Sequence, residues 1–218
     1  MLRMIVIVLL GIATGQASAK ESAPIHELDA QSGNGILLVS LTMPVMEGTY
    51  TQYAVQQYHY RRLDKRSLFQ KTIQLYRKMW FKKGVQSDFE DQFGILAIIE
   101  LPAGNYAFES WTFLNGTGAE FRPTDFGSHP FQIKPGRATY VGQIDMANRT
   151  GKNVFGGEVA SGPIVEFRDA TQRDLAVLTR KFPSITPAQV DVALLTTADG
   201  QTPETTSTIP PPTVVPAQ

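Results

Sequence analysis

FGILAIIELPAGNYAFESWTF, residues 93–113, is the stretch that decides the fold. Ile95, Ile98, Ile99 and Leu101 precede a Pro102/Gly104 turn, and Tyr106, Phe108, Trp111 and Phe113 follow it. Runs rich in β-branched and aromatic side chains on either side of such a turn predict two strands joined as a hairpin. A weaker copy, FQIKPGRATYVGQI, occupies residues 131–144, again with a Pro shortly before a Gly and a Tyr soon after it. Two hairpins of this kind predict a mainly β protein built as an antiparallel β-sandwich.

Working towards the N-terminus, GILLVSLTM (residues 35–43) is apolar at nearly every position. An unbroken apolar run of strand length predicts a central strand buried on both faces. Residues 49–60 (TYTQYAVQQYHY) read as a further strand, and residues 67–81 (SLFQKTIQLYRKMWF) as another, with Ile73 and Leu75 alternating with Gln74 and Tyr76. Residues 84–93 form a polar loop in which Ser87 and Glu90 have the spacing of a helix-capping box. Towards the C-terminus, a Gly/Thr/Pro-containing loop spans residues 114–127 and a Gly-rich stretch spans 147–162, followed by a last short strand at 163–167.

Asp169 marks a change of pattern. It stands as N-cap with Gln172 three residues on, and Leu175, Leu178 and Phe182 then share one helical face before Pro183 stops the helix. Thr186, Pro187 and Gln189 predict a second short helix running to Leu195. Residues 196–218 hold five of the fourteen prolines and no core-forming pattern, so a disordered Thr/Pro-rich tail is expected.

The chain opens with MLRMIVIVLLGIATGQASA: one basic residue, an apolar run too short to span a bilayer, then small residues. That layout predicts a signal peptide cleaved after Ala19 and a periplasmic or secreted product without a transmembrane segment. The expected organisation is therefore residues 1–19 signal, 20–34 flexible leader, 35–168 β-sandwich, 169–195 C-terminal helical segment and 196–218 tail. The 218 residues contain no cysteine, so disulfides, thiolate nucleophiles and Cys-ligated metals are excluded. Cleavage would remove one Arg and leave 19 basic against 20 acidic side chains, a balance that points to no polyanionic partner for the chain as a whole.

No motif implies a metal or a cofactor. His26, His59 and His129 lack ligand spacing, and His26-Glu27 is not completed to H-E-x-x-H because Ala30 holds the fifth position. There is no G-x-S-x-G elbow and no phosphate-cradling G-x-G-x-x-G or P-loop. Glu100, Glu109 and Glu120 lie on or near the strands of the first hairpin and are the candidates for a paired-carboxylate hydrolase acting on an envelope glycan or ester.

The one anomaly of composition is residues 61–83, with nine basic side chains against the single acid Asp64 in a chain neutral overall. Arg61, Arg62, Arg77, Lys78, Lys82 and Lys83, together with Trp80, are the candidate binding residues. Cation and aromatic mixtures suit an anionic envelope component: a lipid headgroup, a lipopolysaccharide phosphate or a wall polymer. Export argues against nucleic acid. An envelope protein is the other partner expected, and the same charges on edge strands would also block edge-to-edge aggregation.

The LPAGNYAF segment (residues 101–108) resembles the turn of prealbumin-like sandwiches, as in carboxypeptidase-regulatory-like and Cna protein B-type domains, and of envelope proteins carrying such a sandwich behind a signal peptide. The likeness extends in texture over residues 35–167 and implies an Ig-like or prealbumin-like sandwich. Cna B-type domains imply an isopeptide bond assisted by an acid four residues after the turn Tyr. Here Glu109 comes three after Tyr106 and position 110 is Ser, so that chemistry is not carried over. The function expected is a non-enzymatic binding or envelope-associated module, the hydrolase being the alternative.

Overall fold

In a computed structural model that describes residues 28–43, 54–64, 70–76, 85–114, 120–123, 125–152 and 158–196, β1 (Asn34–Met43) is buried from Ile36 to Met43. Its alternating side chains serve two cores. Leu37, Val39, Leu41 and Met43 face a second sheet, while Ile36 and Leu38 face a helix on the other side. This double burial is why the strand is apolar throughout.

β1 lies between β4 (Phe93–Pro102), antiparallel to it from Asn34↔Pro102 to Met43↔Phe93, and β8 (Ala138–Lys152), which runs parallel to it. The far edge of β8 is shared by β10 (Val190–Val192), parallel at Ala138 to Tyr140, and β9 (Glu158–Arg168), antiparallel from Gln143 onward. Gly142, at φ +97°, marks the change of partner, where the register with β1 slips. A side chain there would stand 3.0 Å from the Arg168 carbonyl oxygen. The second sheet is antiparallel throughout: β3 (Lys71–Tyr76), β2 (Val55–Arg62) and β5 (Gly104–Leu114), with β6 (Glu120–Phe121) and β7 (His129–Ile133) both on the far edge of β5. The mainly β, sandwich-like class stands, refined by two parallel pairings in the first sheet.

The expected hairpins are not hairpins. β4 pairs with β1 and β5 pairs with β2, β6 and β7, so the chain crosses from one sheet to the other at Pro102–Ala103–Gly104. Only Ala103 separates the two strands, and the tightest common hairpin loop needs two residues. A strand that cannot fold back beside its predecessor folds over onto the facing sheet. The crossing is held by the Tyr106 hydroxyl, which donates to the Pro102 carbonyl at 2.8 Å, and by Arg62 Nη2, which donates to the Ala103 carbonyl at 2.6 Å. A tyrosine bonding back a few residues upstream at a sheet-to-sheet corner is a recurrent device of sandwiches. The second turn crosses likewise: β7 stays with β5, whereas β8 joins β1, and Gly136 (φ +65°) packs against the backbone of Ala30.

Between the sheets lie Tyr58, Tyr60, Ile73, Leu75, Tyr106, Phe108, Trp111 and Phe131 from one side and the odd-numbered side chains of β1 from the other. Outside the first sheet, α1 (Thr171–Lys181) buries Val177 and Leu178 against Ile36, Leu38, Ala138 and Tyr140. Burying one such leucine contributes about 1.5–3 kcal/mol. The Asp169 carboxylate caps α1 as expected in kind, accepting from Thr171 N at 2.9 Å, although it stands one residue outside the N-cap position held by Ala170.

Two local expectations are corrected. The helix from Thr186 to Leu195 is a single 3-10 turn, Pro187–Gln189, closed by Thr186 N donating to Gln189 Oε1 at 2.9 Å. The chain then becomes β10 and continues along β8 through Ala193 N to Tyr140 O (2.8 Å) and Leu195 N to Val141 O (3.0 Å). A short isolated helix is marginal, and an open strand edge plus burial of Leu195 outweighs it. Ser87 starts no helical turn either; its hydroxyl accepts from Phe89 N and Gly94 N and so folds the loop that places Phe89 under α1. The strand preferred for residues 67–81 is present at Lys71–Tyr76.

Candidate functional site

Of the seven basic-strip residues, Arg77, Lys78, Trp80, Lys82 and Lys83 lie outside the described residues. Arg61 and Arg62 are neighbours on β2 and point to opposite faces. Arg61 is exposed and its Nε contacts both carboxylate oxygens of Glu109, at 2.6 and 2.7 Å. Arg62 turns to the end of the core, donating to Asp64 Oδ2 at 2.9 Å and the Ala103 carbonyl, with its guanidinium 5.8 Å from the Tyr106 ring centre. The structure therefore does not bring these two arginines onto one surface. Lys71 is exposed at the start of the outermost strand, β3, opposite Tyr60.

The three carboxylates are distributed rather than gathered. Glu100 is on β4 in the first sheet and accepts from Asn34 Nδ2 at 2.7 Å. Glu109 is on β5 in the second sheet with Arg61, and Glu120 on β6 pairs with Arg122 at 2.5 Å. Each is engaged by a cation or an amide.

On the outer face of the second sheet, His59 bridges Thr72 (Nδ1, 3.0 Å) and Thr112 (Nε2, 3.2 Å). Burial, and secondarily the charge of Arg122, pulls its pKa below the usual histidine value. Among the described residues no group of three His, Asp or Glu is arranged to hold a metal. A shallow, open depression of about 550 Å³ is lined by Leu63, Asp64, Asn105, Pro130, Phe131 and Gln132. Its one carboxylate, Asp64, is already bonded to Arg62.

The densest polar constellation was not singled out by the sequence. On the outer face of the first sheet, the even-numbered side chains of β1 change from Ile36 and Leu38 to Ser40 and Thr42, and the side chains of β8 on that face change from Ala138 and Tyr140 to Gln143 and Asp145, the parity slipping at Gly142. Asp174, fully buried on α1, accepts from Ser40, from the Tyr140 hydroxyl (2.5 Å) and from Arg173 Nε (2.8 Å). Arg173 lies 3.9 Å over the Phe89 ring and donates to Gln143 Oε1 at 3.1 Å; Gln143 in turn donates to Thr42 Oγ1 at 2.7 Å. Thr42 donates to Asp145 Oδ1 at 2.6 Å, and Asp145 Oδ2 lies 3.2 Å from Arg168. Among the described residues no buried side-chain nitrogen or oxygen lacks a partner. Burial, reinforced by Asp174, holds the Tyr140 phenol far above its usual range, and burial with Asp145 does the same to Tyr58. A fully satisfied network of this kind fixes the helix on the sheet. The available signal was polar residues at alternate positions within otherwise apolar strands, SLT in β1 and GQID in β8.

Fold and side-chain arrangement together define a mainly β protein, its described residues forming two packed five-stranded sheets with one α-helix on the outside. No protein-family model matches the chain, and no curated protein does. Among solved structures, a leucine-rich repeat protein from Bacteroides thetaiotaomicron aligns at 15% identity with a TM-score of 0.28, over 52% of this chain and 14% of that one. A likeness at that score establishes no shared fold, and the chain spans about a seventh of that protein's length.

Proposed function

We propose that the protein is an exported, envelope-associated binding module and that the basic strip of residues 61–83 meets an anionic envelope component. The observation that carries this reading is the charge distribution: nine cations to one acid in a chain balanced overall, with the described part of the strip on β2 and the outermost strand β3. Arg62 serves the sheet crossing and Arg61 is shared with Glu109, so the contact falls chiefly to Arg77, Lys78, Trp80, Lys82 and Lys83. The signal-peptide layout of residues 1–19 supports export.

The test is cosedimentation of the mature chain with phosphatidylglycerol-containing vesicles, neutral vesicles and isolated cell wall. Binding to the anionic vesicles or the wall should weaken as salt is raised. Replacing Arg77, Lys78, Lys82 and Lys83 by Glu should lower it by more than about tenfold, since each basic residue near an anionic surface is worth ~1 kcal/mol. Unchanged partitioning of the substituted chain would leave the strip with a purely structural role.

A further inference from the structure

His129, at the start of β7, is 4% exposed, and both of its ring nitrogens face carbonyl oxygens. Nδ1 is 2.8 Å from the Thr196 carbonyl and Nε2 is 2.7 Å from the Phe126 carbonyl. A carbonyl oxygen only accepts. A neutral imidazole carries one N–H and donates to one of them, leaving a lone pair against the other; the doubly protonated ring donates to both.

The two carbonyls belong to separate pieces of chain. Phe126 lies in the loop before β7, whereas Thr196 ends the segment that follows β10. That segment is laid along β8 by Ala193 N and Leu195 N, and Leu195 enters the core between the sheets at 2% exposure. Phe126 and Phe167 flank the imidazole with ring centres 4.6 and 4.5 Å away.

We infer that His129 is a proton-operated latch: doubly protonated, it clasps the C-terminal segment and the 125–128 loop together, and on losing the Nδ1 proton it keeps the loop and releases the C-terminal segment. Among the described residues no charged side chain bonds to either nitrogen. Asp125 is exposed in the same loop. On β9, Glu166 and Arg168 alternate with Phe167 and pair on the opposite face, where Arg168 also meets Asp145. On β5, Phe108 lies opposite His129, and its neighbour Glu109 is held by Arg61. Ser128 and Pro130, on either side of His129 in the chain, carry no charge.

The test follows the imidazole of His129 in the ¹⁵N-labelled chain by long-range ¹H–¹⁵N spectra from about pH 5 to about pH 9. Two protonated nitrogens should be seen at the acid end and one at the alkaline end. Across that step the Leu195 amide, corrected for intrinsic exchange, should lose roughly tenfold in protection, the factor that one hydrogen bond of ordinary strength produces. His129→Gln should keep the sandwich and abolish the pH dependence of Leu195 protection; the ring spectra of the unsubstituted chain carry the test if that variant does not fold. A ring that does not pass between two protons and one in this window overturns the latch. So does a Leu195 protection that is equal on both sides of the step.

Discussion

Tyr106 follows the crossing at Pro102–Ala103–Gly104 and Tyr140 follows the one between β7 and β8, yet their hydroxyls end on opposite sides of the first sheet. Tyr106 points between the sheets, stacks on Phe131 at 5.7 Å and bonds the Pro102 carbonyl four residues back. Tyr140 points outward beneath α1 and bonds the buried carboxylate of Asp174. Both are placed by the same kind of Pro/Gly turn. One closes a corner within the chain's own turn, and the other fastens a helix that begins some thirty residues later. The turn dictates that the chain crosses; the face on which the next aromatic emerges dictates what it holds.

That contrast has a measurable size. Tyr140→Phe removes one of the three donors, with Ser40 and Arg173, that the described residues give the buried Asp174 side chain, and should lower the unfolding free energy by about 1.5–3 kcal/mol in urea titrations. Tyr106→Phe should cost less, about 1 kcal/mol, because the Pro102 residue it leaves behind is exposed and its carbonyl can turn to water. Equal losses in the two variants would mean that the Asp174 network adds nothing beyond an ordinary hydrogen bond.

The smallest effect is expected at His59, whose partners among the described residues are the neutral hydroxyls of Thr72 and Thr112. Its folded-state pKa is below the ordinary 6.5, chiefly because it is buried, so the native state prefers the neutral ring. The stability contributed by that preference is complete above about pH 6.5 and is lost as pH falls through the lower folded value. The melting temperature of the parent should therefore fall more on acidification than that of His59→Gln. Parallel melting curves for the two chains would remove His59 as a source of acid sensitivity.

The class, the doubly buried central strand and the capped helix were legible because each rests on a periodicity or a cap within one element. The pairing was not. A Pro/Gly turn between two apolar strands looks the same whether they lie side by side or face each other, and the deciding fact, one residue between β4 and β5, needs the strand ends. The helix expected at 186–195 failed for a related reason: the free edge of β8 that captures Val190 to Val192 is formed by residues fifty positions earlier. The basic strip is plain in composition, but sequence adjacency joins Arg61 to Arg62 where the pleat separates them. The Asp174 network draws on β1, β8 and α1, and no local pattern joins those three.

Because β2 and β3 intervene between β1 and β4, and β5 to β7 between β4 and β8, neither sheet is made from a continuous piece of chain. β1, near the beginning of the described chain, needs β8 on one side, with Ile36 opposite Ala138, and β8 in turn needs Val190. Assembly must therefore close long loops before it is rewarded with contacts, which puts such topologies among the slower folders, on the order of milliseconds to seconds. A growing or truncated chain that stops short of β8 would carry β1 paired to β4 but with its other, apolar edge bare.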